Sequence, residues 1–308
     1  MRSFKRVALG SAGSTFLLVT IGGLVRATKS GLGCGTDWPH CSGRLVPALE
    51  NRAMVIEYSH RFVAGIVIVL LATLMVMAFR SRQPARIKRA SVGAFGLVLF
   101  QAILGMIVVV LELQAVSVVL HLGTAMVLLA LVLYIAIDVG ERAPEERDPA
   151  LSQRASIAAA SVIVLLLVGS YVSGSGAGYV FPDWPLMDGR VIPDLAVEGK
   201  ATHFLHRGLA AITGAIVLWA VVGVFRRKSE MPSAYRLAHA SLGLFSVEVA
   251  IGAGNVFTSG NDAFVTLHLA MGAAIWATLV SLAFVTRPAH EEVAMRRVGS
   301  SEPALEGR

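Results

Sequence analysis

The chain has 308 residues, 55% of them hydrophobic and 15% charged, with a mean hydropathy of +0.69. Soluble domains carry about 25% charged residues, so these figures exclude a soluble enzyme, a disordered chain and a disulfide-rich or collagen-like scaffold. The formal net charge is +7, and where those charges fall makes a nucleic-acid partner unnecessary.

Eight apolar segments follow one another at about 7–27, 54–79, 91–111, 116–138, 155–173, 202–225, 237–257 and 263–285. Each is close to the about 20 residues that a helix needs to cross a bilayer core, and a helix satisfies its own backbone in lipid. The first segment follows residues 1–6 and runs into a polar loop with no cleavage pattern of signal-peptide type, so a retained span is expected. That loop, 28–53, carries the two cysteines, Cys34 and Cys41, in GCGTDWPHC. Their spacing is not that of covalent haem attachment. A bridge between them is possible outside the cell, as a structural staple or as a redox-active pair. Trp38 suits an anchor at the membrane interface.

The second segment brings Glu57 and His60, three residues apart and so on one helix face, with Arg61 directly after. Arg26 ends the first segment, and His121 lies in the outer part of the fourth. A charged linker at 141–154, containing Pro144 and Pro149, separates this half from the next. The second half then repeats the first. Asp37-Trp38-Pro39 recurs as Asp183-Trp184-Pro185, Gly43-Arg44 as Gly189-Arg190 and His60-Arg61 as His206-Arg207, all shifted by 146 residues. His121-Leu122 recurs as His268-Leu269, and Gly105 as Gly252, shifted by 147. Four helices per half keep both halves in one orientation, a parallel repeat about an axis along the membrane normal. The expectation is an all-α integral membrane protein with eight transmembrane helices in two tandem, pseudo-symmetric four-helix bundles, 1–145 and 146–308.

Lys and Arg in the connections give the orientation. Nineteen fall at the N-terminus, 80–90, 139–154, 226–236 and the C-terminal tail, against five in the intervening loops. Both termini are therefore expected in the cytoplasm of a cell-membrane protein, with the two long loops outside.

His60, His121, His206 and His268 give each half two imidazoles on two helices at similar depth. Such a pair suits axial ligation of one haem iron, although a single buried histidine can equally be a hydrogen-bonding residue between helices. Zinc would want three or four converging ligands, more than either half offers. Glu57 is answered in the second half by His203, so the halves differ in an ionisable residue beside the iron ligand. Ionisable groups at membrane depth point to function. Arg26, Arg61 and Arg207 could snorkel to the headgroups or pair with haem propionates. Val180 and Met187 stand where the cysteines would recur, and Glu248 stands opposite Gln101 as an interhelical partner.

Glu57-Tyr58-Ser59-His60-Arg61, His203-Phe204-Leu205-His206-Arg207, the histidines of spans four and eight and the GLGCGTDWPHC loop together resemble the haem A synthase family, across all eight spans. The resemblance implies a membrane oxidoreductase that oxidises a ring methyl of haem O to the formyl group of haem A for terminal oxidases. It implies that His60 and His121 hold the substrate haem, that His206 and His268 hold a resident haem b, and that Glu57 is catalytic. Haem O synthase and cytochrome oxidase assembly are the partners it suggests, besides the lipid bilayer. Some members carry a cysteine pair in each half; this chain carries one pair. Methyl-to-aldehyde oxidation removes four electrons. With both axial positions of the substrate iron taken, the favoured route is electron withdrawal followed by attack of water, with Glu57 as general base. Cys34–Cys41 and the second haem are candidate electron carriers, and no motif identifies the final acceptor. A bis-histidine cytochrome exchanging electrons with a quinone, or a haem-handling chaperone, would use the same four histidines without needing Glu57.

Overall fold

The computed structural model describes residues 2–48, 51–139, 147–197 and 199–288. Among them the long elements are all helices: α1 (Arg2–Ala27), α2 (Arg52–Arg80), α3 (Ala85–Val110), α4 (Ala115–Asp138), α5 (Pro149–Gly174), α6 (Lys200–Val221), α7 (Pro232–Phe257) and α8 (Asp262–Thr286). Helix α6 runs on as a 3₁₀ turn to Arg227. All eight are long and apolar enough to cross a membrane. The protein is a multi-pass membrane protein.

Several helices outrun their apolar segments. Helix α1 begins at Arg2 rather than about 7, α3 at Ala85 rather than 91, α5 at Pro149 rather than 155, and α7 at Pro232 rather than 237. The extra turns all lie at the end opposite the two long loops, where basic side chains can reach water. A hydrogen-bonded ladder has no reason to stop where the hydrocarbon stops. Asp148 caps α5, its side chain accepting the Leu151 amide at 2.9 Å, with Pro149 in the first turn, where a missing N–H costs nothing. Residues 149–154 of the expected linker are therefore helix. Its remainder at 141–146, and with it the division between 1–145 and 146–308, lies outside the described residues. Partial burial alone would raise the Asp148 carboxyl, but the Leu151 amide and the Arg227 guanidinium hold it below the usual carboxylate range.

The packing follows the repeat. Helices α1 to α4 close one ring and α5 to α8 a second, each helix touching its sequence neighbours and the first touching the fourth. The rings join through α1 on α8, α4 on α5 and α4 on α8. A two-fold exchange of halves carries the first of these contacts into the second and the third into itself. One buried cluster crosses the junction, uniting Val19, Met126 and Leu129 with Val162, Val217 and Leu279. Another, built on Phe4, Leu71, Leu74 and Ile135, stays within the first ring. The outward faces carry exposed Phe62, Val69, Leu120 and Ile212, which suits lipid rather than water.

Close approach between helices depends on small residues. A Cβ placed on Gly23 of α1 would stand 2.7 Å from Leu269 Cδ2 of α8. At the basic end, Asp138 closes α4, pairing with Arg86 at 2.7 Å and with Arg287 from the end of α8. The Asp148 amide donates to the Thr286 carbonyl at 2.8 Å. These contacts latch the two halves at that end.

Candidate functional site

Each of the four histidines leans on a glycine of the preceding helix. A Cβ on Gly22 would lie 3.2 Å from His60 Cε1, on Gly105 3.4 Å from His121 Cε1, on Gly169 2.9 Å from His206 Cε1 and on Gly252 3.2 Å from His268 Cε1. The glycines let the imidazoles lie flat against a neighbouring backbone. Gly105 and Gly252 stood out in the sequence; Gly22 and Gly169 did not, although they too are 147 residues apart.

The Nδ1 atoms of His60, His121, His206 and His268 are buried and have no hydrogen-bond partner, and the same holds for that of His203. A histidine kept as an interhelical hydrogen-bonding residue would have its polar atoms satisfied, so that reading leaves these rings unexplained. His206 and His268 face one another with ring centroids 6.3 Å apart and planes at 79°. Two imidazoles bound head-on to one metal by bonds of about 2.0 Å, each with its ring centre about 1.1 Å beyond the nitrogen, would have centres about 6.2 Å apart. The second-half pair thus fits an axial pair on one iron. Among the described residues no group of three or more His, Cys, Asp or Glu converges, whereas a porphyrin iron, already held by four ring nitrogens, asks the protein for two. His60 and His121 are electrostatic neighbours across the first ring.

Above the histidines sit the two long loops, and an arginine clasps each. Arg61 Nη1 donates to the carbonyls of Asp37 and His40 at 2.9 and 2.8 Å. Arg207 Nη1 donates to those of Asp183 and Leu186, both at 3.0 Å. The aspartates in turn accept from their own loops, Asp37 from the Gly43 amide at 3.1 Å and Asp183 from the Gly189 amide at 2.7 Å. The Gly189 and Asp188 amides hold the Asp183 carboxyl below the usual carboxylate range. Both loops contain a cis Trp–Pro bond, Trp38–Pro39 and Trp184–Pro185, and a matching bridge, Cys41 with Arg44 and Met187 with Arg190. The repeat extends to the hydrogen bond.

The loops differ in their fastening. In the first, Cys34 and Cys41 form a disulfide, both 1% exposed, packed on Met54 and Tyr58. Gly33 lies so close to α2 that a Cβ there would meet the Ala53 carbonyl carbon at 2.4 Å. Glu57, buried at 3% exposure, accepts the Cys34 amide at Oε2, 2.8 Å away, and pairs with Arg61 through Oε1 at 2.5 Å. In the second loop, buried Phe181 packs its ring 5.4 Å from the His203 ring, with Lys200 and Arg207 each 5.5 Å from its centroid. Lys200 also pairs with Asp188. His203 Nε2 accepts from Arg207 Nε at 3.1 Å. No sequence signal marked Phe181 or Lys200, because their first-half equivalents are Gly35 and Met54.

Arg26 donates to the Ser173 carbonyl at 3.0 Å, tying α1 to α5. Arg207 Nη2 is buried without a partner, a donor still free for a ligand. Glu248 Oε1 stands 2.9 Å from His268 Nδ1.

The family model of COX15-CtaA, cytochrome oxidase assembly protein, matches residues 5–280. The chain is 32% identical over 308 residues to the heme A synthase of Symbiobacterium thermophilum, covering 95% of this chain and 98% of that protein. It is 30% identical to the heme A synthase of Halalkalibacterium halodurans, covering 90% and 92%, and 28% identical to that of Shouchella clausii, covering 92% and 94%.

Proposed function

Because the chain belongs to the COX15-CtaA family of cytochrome oxidase assembly proteins, whose relatives here are haem A synthases, we propose that it is an oxidoreductase converting the ring methyl of haem O to the formyl group of haem A. The observation that carries this reading is the duplicated imidazole pair, one copy with Glu57 beside it and the other without. The first half, 1–145, is the substrate half and the second, 146–308, the half with the resident group. His60 and His121 would hold haem O. His206 and His268 hold haem b, which when bound supplies a one-electron relay. Arg207, with one buried donor unmatched, is the arginine with a group to spare for a propionate; Arg26 and Arg61, also candidates from the sequence, are engaged with protein carbonyls and with Glu57. Nineteen basic residues against five support a plasma-membrane protein with both termini in the cytoplasm and the loops outside.

The chain's own residues then do three things. The glycine-backed imidazoles fix the plane of the substrate. The clasped loop covers the outer end and limits water. Glu57 receives a proton released when water adds to the oxidised methyl carbon; the overall change, R–CH3 + H2O → R–CHO + 4 H+ + 4 e−, requires an external four-electron acceptor, towards which Cys34–Cys41 and the second half would act as carriers.

Pigment extracted from the purified full-length protein, made in cells that supply haem O, decides the matter by chromatography. Haem A or hydroxylated haem O beside haem b is the expected result. Haem b alone would turn the assignment to a bis-histidine electron-transfer cytochrome.

A further inference from the structure

Glu248 is the acidic side chain in the membrane interior that the reaction above does not use. It projects from α7 with its side chain 15% exposed, and Oε1 stands 2.9 Å from Nδ1 of His268 on α8. That oxygen lies off the line of the ring N–H, and the second oxygen, Oε2, is buried with no hydrogen-bond partner at all. Gly272, one turn after His268, borders the carboxylate, and its missing Cβ makes room for Leu166 of α5, whose Cδ2 it would meet at 2.7 Å.

The equivalent position in the first half is built to be neutral and closed. Gln101 donates from Nε2 to the His121 carbonyl at 3.0 Å, and its Oε1 accepts from the Thr124 hydroxyl. Both ends of that amide are satisfied, and neither touches the His121 ring nitrogens. In the second half Met271 replaces the threonine and offers no donor. An ionisable group with an unmatched oxygen at this depth is costly if its task is packing. The same group is useful beside a metal-binding imidazole. A carboxylate at the distal nitrogen of an axial histidine fixes the ring, increases its donation to the metal and favours the more highly charged oxidation state.

We propose that Glu248 is a positioning residue for the second-half haem iron: its carboxylate engages the Nδ1–H of His268, orients that ring for ligation and lowers the reduction potential of the iron, a control absent from the first half. The inference rests on the assignment of His206 and His268 to a resident haem b. One consequence is an electrostatic asymmetry between two sites that share the same helices, loops and ligands.

The test is an optical redox titration of purified, haem-loaded full-length protein, wild type against Glu248→Gln and Glu248→Asp. Glu248→Gln keeps the shape and removes the charge. It should shift the reduction equilibrium of the low-spin haem b at least tenfold toward the reduced form, which is about 59 mV upward for one electron. Glu248→Asp, which retains the charge on a shorter arm, should fall between the two. The low-spin electron paramagnetic resonance signal should shift in the same order, since it reports donation from the axial ring. An unchanged potential in Glu248→Gln with haem b intact overturns the inference. If Glu248→Gln loses haem and Glu248→Asp keeps it, the carboxylate is required for ligation and the inference stands. If both lose haem while the protein retains its helix content, Glu248 is a packing residue and the inference falls. Failure of the underlying assignment looks different: low-spin haem b would persist in His206→Ala and His268→Ala.

Discussion

The two long loops solve one problem with different chemistry. Each must hold its backbone over a pair of imidazoles, and each uses the same arginine, the same aspartate turn and the same cis Trp–Pro bond. The first adds a disulfide and the carboxylate of Glu57; the second adds Phe181, packed among His203, Lys200 and Arg207, and has Val180 and Met187 in place of the cysteines. The fold therefore asks for a fixed loop and is indifferent to the fastener. What differs is redox reactivity: a disulfide can exchange electrons, while a phenyl ring packed on an imidazole cannot, and the ionisable group beside the loop is a carboxylate in one half and an imidazole in the other. The half that carries reactive fasteners is the one read as handling substrate.

That contrast can be broken most severely at the ligands. His206→Ala or His268→Ala should remove haem b altogether, whereas His60→Ala and His121→Ala should leave it and abolish haem A, as read by haem extraction and low-spin absorbance. Next in size is Glu57→Gln, which keeps the shape but cannot take the proton. Loss of a general base costs about 10²- to 10⁴-fold in rate, so haem O or its hydroxylated form should accumulate at normal haem b content. Near-normal haem A output at equal protein levels would remove Glu57 from the chemistry.

Exchanging the fasteners sharpens the comparison further. Phe181→Ala should loosen the second loop by about 3 kcal/mol, the usual cost of deleting a buried phenyl, and lower haem b retention on washing. Adding Val180→Cys and Met187→Cys to that variant should return about 2 kcal/mol through ring closure, with the new bridge visible by mass spectrometry without reductant. Retention that the bridge fails to restore would mean Phe181 acts on His203 and not on the loop. The smallest effect concerns Asp148. Its carboxyl is held low in the folded state, so its contribution is full above the unfolded-state value and is lost as pH falls through the folded one. Asp148→Ala should cost about 1 kcal/mol at neutral pH, as for a lost helix cap, and nothing in acid, by thermal melting at both pH values.

Much of this was legible in the residues alone. Eight apolar runs of membrane length define the helices, because lipid leaves a spanning chain no other solution. The 146-residue shift exposed the repeat, and the paired histidines marked the candidate site. The helix starts at Arg2, Ala85, Pro149 and Pro232 were not legible, since hydropathy reports where hydrocarbon ends and not where hydrogen bonding ends. Nor was the duty of Arg61 and Arg207. A charged residue near the interface reads as seeking headgroups or propionates, and only the loop conformation reveals carbonyls waiting one residue after Trp–Pro and at its aspartate. Gly22 and Gly169 were hidden among 30 glycines until the ring edges of His60 and His206 were placed against them.

The seat that Gly23 offers to Leu269 has a consequence for assembly. Individual helices are stable in a bilayer before they pack, yet the seat at Gly23 of α1 is filled by Leu269 of α8, 246 positions later in the chain. Through most of synthesis that groove must stay open to lipid. The first ring can close on its own core of Phe4, Leu71 and Leu74, but the cluster containing Val19 is completed only by the last helix. A nascent chain halted before α8 would therefore present a ready-made socket. Supplied separately, α8 should dock there, and until it does the unfilled groove distinguishes an unfinished molecule from a finished one.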